Sequence, residues 1–550
     1  MSRRIFLLFL SCLLSFAVSL RSSCAQVPNS APTSPVPAAA TAAAPTAAPI
    51  SPRASAFAKA QQFYRVGKLG DAENEYKALL QGDPRSALAY VGLVRVYLKQ
   101  KRLADASAAA AKAVELAPPL SAVHVAMGEV YFRQAKMAQA EKEFLTEVKR
   151  STRDARAYLG MAELYAAFSF YKSAKQMIDR AHELDPEDPD IRKVWMRTLR
   201  LEEKIKALQA YLAGETNDDS EERGYLENEL TLLQDRMNQP SRSCLPRTKI
   251  RSTSINLETL WFSPQHIRGA GLTAKLNGTS AVLLLDTGAN GFVINRKVAE
   301  KGGIKRVVQT NFRGIGDQGD AGGYVGFADS LRIGDLEFQN CYVRVIDKNS
   351  VNGEDGLIGA NVFAHYLVDI DFPNGKLKLS ELPARPGESD TQPEPDSDAT
   401  AAQHFYDQYI APEMKSYTPI LRFGHFLLIP TRVNDSDPRL FLIDTGGFDD
   451  TISQEFAREV TKVSGDSNTR MKGISGAVNK VYRTDMVKLQ FSHFLHERQQ
   501  LVSFDTSRMS NDTGTEIAGI LGFAMLRLMD VKIDYRDGLV DFQFDPNRFH

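Results

Sequence analysis

Leu283-Leu284-Leu285-Asp286-Thr287-Gly288 and Leu440-Phe441-Leu442-Ile443-Asp444-Thr445-Gly446 are two stretches built to one plan. In each, an apolar run ends on a carboxylate, followed by a small hydroxyl residue and a glycine. The apolar run reads as a buried strand. A carboxylate at its end is costly to bury unless hydrogen bonds hold it there. One Asp-Thr-Gly reads equally well as a turn, in which Asp accepts backbone N–H bonds and Gly takes positive φ. Two copies in the same setting argue against a mere turn.

The surroundings of the tripeptides repeat as well. Asp286 and Asp444 lie 158 residues apart, and at that offset Tyr324 matches Tyr482 and Val345-Ile346-Asp347 matches Ser503-Phe504-Asp505. Leu357-Ile358-Gly359 matches Ile520-Leu521-Gly522 at an offset of 163, as does Asp371-Phe372-Pro373-Asn374-Gly375 with Asp534-Tyr535-Arg536-Asp537-Gly538. Five residues are therefore inserted before Ile520 in the second copy. Short β-type runs broken by Gly, Asn and Asp fill both copies. Each also carries a Gly-rich hairpin, Gly314-Ile315-Gly316 or Gly473-Ile474-Ser475-Gly476.

This order resembles the lobe of retropepsin-like aspartic proteases, twice over, with two lobes in one chain as in pepsin-like enzymes. The resemblance implies that Asp286 and Asp444 form one catalytic pair holding a water. Two neighbouring carboxylates cannot both ionise easily, so they share a proton and split their pKa values. Thr287 and Thr445 would hydrogen-bond across the lobe junction, and Gly288 and Gly446 would leave room for the approach. Gly359 and Gly522 would pack against the active loops. Tyr324 and Tyr482 are candidates for a flap residue or, equally, ordinary cross-strand aromatics. The substrate would be a protein or peptide, and no metal or organic cofactor is implied. Pepsin-like enzymes place a hydroxyl residue after the tripeptide, where this chain has Ala289 and Gly447. Losing that donor to the carboxylates moves the expected activity optimum to about pH 5–7.

Ahead of the β-rich half, Phe63, Tyr97, Tyr131 and Tyr165 recur every 34 residues, and Ala72, Ala106, Ala140 and Ala174 do the same. Pro84, Pro118 and Pro186 keep that register, with Thr152 in the remaining slot. Small residues belong where two helices approach closely, and Pro stops the second helix of each pair. The region, residues 55–197, resembles tetratricopeptide repeats over four units. That implies an α-solenoid with a concave groove for an unidentified protein partner. Residues 198–244 read as a helical connector.

Residues 1–25 read as a cleavable signal peptide: Arg3 and Arg4, an apolar stretch from Ile5 to Leu20, and small residues before Gln26. The expected location is secreted or periplasmic, with no membrane span after cleavage. Residues 26–54 are an Ala/Pro-rich disordered tether and 383–410 an acidic, Pro-rich linker. A formal net charge of zero gives no polybasic field for nucleic acid. Cleavage would leave Cys244 and Cys341, which permit one disulfide in an oxidising compartment. His365, His404, His425, His493 and His496 lack metal-ligand spacing and read as surface or packing residues. Ser475 is not a hydrolase nucleophile elbow, since that motif needs Gly two residues before and two after the Ser and residue 477 is Ala.

The whole is a multidomain α + β protein: an N-terminal α-solenoid of tetratricopeptide repeats followed by two all-β aspartic-protease-like lobes, residues 245–382 and 411–550. Two alternatives stay open. One is a catalytically inactive scaffold that uses the lobes for binding. The other is a protease whose lobes pair between molecules, although unequal loops in the two copies favour pairing within one chain.

Overall fold

The structure is a computed structural model, and it describes residues 52–214, 218–239, 244–247, 250–348, 351, 353–386 and 406–546. The expected signal peptide, and most of the tether and of the acidic linker, lie outside these residues.

Helices α1 to α11 occupy Pro52–Arg65, Leu69–Gly82, Ala87–Lys99, Leu103–Leu116, Ser121–Arg133, Met137–Arg150, Ala155–Ala167, Tyr171–Leu184, Pro189–Met196, Leu201–Ala213 and Ser220–Asn238. The 34-residue period has a direct cause in their packing. Ala72, Ala106 and Ala140 are fully buried, and Ala174 nearly so, because a larger side chain would push the paired helices apart. The periodic aromatics also mark the turn within each pair. Lys68, Arg102, Lys136 and Phe170 donate their N–H to the carbonyls of Phe63, Tyr97, Tyr131 and Tyr165 at 2.8–2.9 Å. The residue before each donor, Gly67, Lys101, Ala135 or Ser169, takes a left-handed φ, which is the Schellman closure of a helix. Only the first unit fills that position with glycine.

The inner side of the solenoid is closed by the chain's own charges. Tyr64 of α1 donates to Asp190 of α9 at 2.5 Å, and Arg156 of α7 reaches Glu129, Asp188 and Asp190. Lys193 pairs with Asp218 and Glu222, and Lys99 also reaches Glu222. The groove expected to take a partner is thus lined by an internal ion-pair network. The repeats also meet another part of the chain. Phe132, Met137, Phe144, Met161 and Leu164 share an apolar cluster with Leu421, Leu428, Leu440 and Phe504 of the second lobe.

Each β-rich lobe is organised around its tripeptide. The strand Thr279–Asp286 runs parallel to Gly356–Gly359, with Asp286 opposite Gly359; Arg439–Asp444 runs parallel to Gly519–Gly522, with Asp444 opposite Gly522. The internal duplication is therefore a duplication of register. A nine-stranded sheet forms the first lobe and a ten-stranded sheet the second. A six-stranded sheet joins them, and its central pair is Tyr366–Asp371 from one lobe against Asp530–Asp534 from the other. Leu283, Leu285, Ile443 and Leu521 belong to one continuous apolar core. Cys244 and Cys341 form a disulfide that ties the entry of the first lobe to the strand Leu336–Ile346.

Candidate active site

Both tripeptides begin on buried strand ends, residues 283–286 and 440–444, so their backbones have little freedom to move. Thr287 and Thr445 form a reciprocal clasp across the lobe junction. The Thr287 N–H donates to Thr445 Oγ1 at 3.1 Å, and the Thr445 N–H donates to Thr287 Oγ1 at 3.0 Å. Each hydroxyl then donates onward across the junction, Thr287 to the Ile443 carbonyl at 2.7 Å and Thr445 to the Leu285 carbonyl at 2.8 Å. Four buried hydrogen bonds thus fix one loop against the other, a job that a larger or apolar residue at these positions could not do.

The clasp brings the carboxyls of Asp286 and Asp444 together. Gly288 N–H donates to Asp286 Oδ1 at 2.8 Å; Gly446 and Gly447 donate to Asp444 Oδ1 at 2.8 and 3.1 Å. A Cβ on Gly446 would lie 2.3 Å from the Asp286 carboxyl carbon, so glycine is required by the approach itself. Gly359 and Gly522 answer the same need from behind: a Cβ there would come within 2.4–2.5 Å of active-loop atoms. Asn361 and Asp450 brace these loops, through Gly291 N–H to Asn361 Oδ1 at 3.1 Å and Gly522 N–H to Asp450 Oδ1 at 2.8 Å.

Burial raises the pKa of both aspartates, and the Asp444 charge pushes Asp286 further, well above the usual carboxylate range. A hydrogen bond from Asp286 partly offsets the rise at Asp444. Burial and the mutual repulsion of two adjacent carboxylates favour one proton shared by the pair over two anions.

Sequence reasoning missed what surrounds this pair. The two Gly-rich hairpins cross and interlock. Gly314 N–H donates to Ser475 Oγ at 3.1 Å, Ser475 N–H to the Ile315 carbonyl at 3.1 Å, and Gln318 N–H to the Ser475 carbonyl at 2.8 Å. The tip residue Ile474 packs into a first-lobe cluster with Ala289 and Leu357, while Ile315 joins a second-lobe cluster with Leu442 and Ile520. Tyr324 and Tyr482 are not at these tips, which corrects the flap expectation. Tyr324 lies within the strand Ala321–Ile333 opposite Val345, and Tyr482 opens the strand Tyr482–Thr484 opposite Ser503, each under an arginine, Arg306 or Arg458. Matching aromatics at one offset identified a structural pair, and the tips carry isoleucine. Ser475 serves the interlock through its backbone and hydroxyl.

His425, read as surface or packing, lies beside the first active loop and donates to the Gly288 carbonyl; burial and the Arg344 charge push it down to about 4. Arg268 is buried and faces the charges of Glu354 and Asp286. Only the folded chain brings these residues to the site. Among the described residues no group of three or more His, Cys, Asp or Glu gathers to hold a metal.

Comparison with known proteins follows the same division. Residues 272–362, which include Asp286 and Gly359, match a family described as aspartyl protease, and residues 57–121 match one described as tetratricopeptide repeat. The chain is 30% identical over 116 residues to the UBA domain-containing protein Mud1 of Schizosaccharomyces pombe (strain 972 / ATCC 24843). That alignment covers 20% of this chain and spans only 34% of the relative's length. Among solved structures, the aspartic proteinase from Irpex lacteus is similar at 14% identity and a TM-score of 0.35, over 54% of this chain and 98% of that one. A thermophilic TPR protein of Thermus thermophilus is similar at 18% identity and a TM-score of 0.27, over 33% and 98%.

Proposed function

We propose that this chain is an aspartic endopeptidase whose single site uses one carboxyl from each lobe. The observation that carries the reading is the threonine clasp, because it holds two buried carboxyls side by side, where each alone would be a costly buried charge. The ionised member takes a proton from a water between them as that water attacks the scissile carbonyl. The protonated member gives its proton to the carbonyl oxygen. Collapse of the resulting tetrahedral diol expels the amine, which leaves with one of those protons, and the dyad returns to its single-proton state.

Two crossed hairpins suit this chemistry, since a peptide entering beneath them is screened from bulk water. The raised pKa of both carboxyls, and the absence of a hydroxyl at Ala289 and Gly447, support an optimum of about pH 5–7. A diverse peptide library incubated with the full chain between about pH 3 and pH 8 tests the activity. Cleavage lost in Asp286→Asn and in Asp444→Asn supports the reading, and a library left intact at every pH sinks it in favour of a binding scaffold. We further read the protein as exported, on the signal-like first 25 residues and the Cys244–Cys341 bond. An exported chain beginning with its original Met1 would contradict signal cleavage.

A further inference from the structure

The first-lobe hairpin is held from outside as well as by its partner hairpin. Arg313, at its base, forms ion pairs with Asp320 across the turn at 3.2 Å and with Asp512 of the second-lobe helix Ser507–Thr513 at 2.7 Å. It also pairs with Glu221 in the first turn of α11. Arg508 of the same second-lobe helix pairs with Asp320 and donates to the Gly316 carbonyl at 3.3 Å. One charge network thus links the flap, the second lobe and the helical region.

Two further observations give this network a mechanical setting. Helix α11 packs on the hairpin's outer strand, Lys305–Phe312, where Asn228 Nδ2 donates to Thr310 Oγ1 at 3.3 Å. Its far end is fixed to the first lobe, since Tyr342 donates to Asp235 at 2.6 Å beside the Cys244–Cys341 bond. The helix Ser507–Thr513 lies in the segment whose five extra residues break the internal duplication. Asp347 to Leu357 spans ten positions, and the equivalent Asp505 to Ile520 spans fifteen. The solenoid grips the loop that follows this helix: Arg133 donates to the Gly514 carbonyl, Thr515 to the Phe132 carbonyl and Glu516 N–H to the Arg133 carbonyl, all at 2.8–2.9 Å.

We infer that the helical region is a built-in latch on the first-lobe flap, closing it through Glu221–Arg313 and, by way of the solenoid-held insertion helix, through Asp512–Arg313 and Arg508–Asp320. The flap swings only when Arg313 leaves Glu221 and Asp512 and Asp320 leaves Arg508. The repeats then act as an internal restraint on access to the cleft. The consequence for substrate entry rests on the proposed activity, but the latch itself does not.

Hydrogen exchange on the full-length chain reads the latch without any substrate. Glu221 is 58% exposed on its side chain, so Glu221→Lys disturbs the ion pair and leaves the fold intact. Peptides carrying the Gly314, Gln318 and Ser475 amides should exchange about two- to fivefold faster in Glu221→Lys and in Asp512→Lys. Peptides carrying Leu357–Gly359 and Ile520–Gly522 should exchange at the parent rate. Raising ionic strength should speed flap exchange in the parent chain and narrow its difference from the variants. Flap amides that exchange at the parent rate in both variants would overturn the latch. Peptide cleavage measured on the same samples keeps the two readings apart. Faster flap exchange with no cleavage in any sample would retain the latch and remove the protease reading; faster exchange with a matching rise in kcat/KM supports both.

Discussion

Replacing Thr445 by Val keeps the shape of the side chain and deletes one oxygen. That oxygen donates to the Leu285 carbonyl at 2.8 Å and accepts the Thr287 N–H at 3.1 Å. Leu285 and Thr287 are at most 1% exposed, so neither stranded group can turn to water. Each unsatisfied buried group costs about 1–3 kcal/mol, which puts the loss for Thr445→Val at about 2–4 kcal/mol after some relaxation. Thr445→Ser keeps the oxygen and removes one methyl, for a cost of about 0.8 kcal/mol. Urea titration of the full chain, followed by near-ultraviolet circular dichroism, gives both numbers. Cleavage should fall with Thr445→Val and persist with Thr445→Ser, because the dyad geometry depends on the clasp. If Val and Ser variants are equally destabilised, or Val costs less than about 0.5 kcal/mol, the hydroxyl does not hold the junction and the reasoning fails.

Three other substitutions test parts of the fold. Asp371 and Asp530 face each other in the sheet that joins the lobes. Burial and the hydrogen bond and charge of Asp371 push Asp530 up to about 6; Asp371 is buried too, yet hydrogen bonds from Asp530, Lys378 and Asn374 hold it well below the usual range. Asp530 is raised above its unfolded value of about 3.9, so its contribution is complete below that pH and is lost as pH rises through about 6. Asp371 contributes above the unfolded value and loses its contribution as pH falls. The pair should support the sheet best between about pH 4 and pH 6. Melting temperatures at either side of pH 6 should therefore differ more in the parent than in Asp530→Asn. In the solenoid, Lys101 is exposed with φ of 62°, where glycine is easier, so Lys101→Gly should stabilise the chain by about 0.5–1 kcal/mol. Gly67→Ala, at the same position one repeat earlier, should cost a similar amount in the same thermal melt.

What the sequence made legible was whatever repeats or whatever has a local pattern. The 34-residue period fixed the helical pairs because each Ala and each aromatic serves the same contact in every unit. The offset of 158 residues between Asp286 and Asp444 located both active loops, since a duplicated strand register leaves a duplicated sequence. Cys244 and Cys341 were readable as a pair only because no other cysteines remained after the expected cleavage. The flap tips were harder. Ile315 and Ile474 look like any apolar residues in a Gly-rich hairpin, and their role lies in crossing to the opposite lobe. Tyr324 and Tyr482 were conspicuous because they matched, but matching reflected equivalent strand pairings, opposite Val345 and Ser503. His425 and Arg268 carry no motif and reach the active loops through hairpins folded in from elsewhere. The link between Glu221, Arg313 and Asp512 joins three distant segments, and charged residues in a balanced chain give no sign of their partners.

Mixing inactive variants tests the account of one shared site within one chain. Asp286→Asn and Asp444→Asn should each abolish peptide cleavage that the parent chain performs, and an equimolar mixture of the two should stay inactive. A dyad assembled inside one molecule cannot be repaired by another molecule lacking the opposite carboxyl. Cleavage by either single variant at the parent rate, or activity regained on mixing, would contradict it.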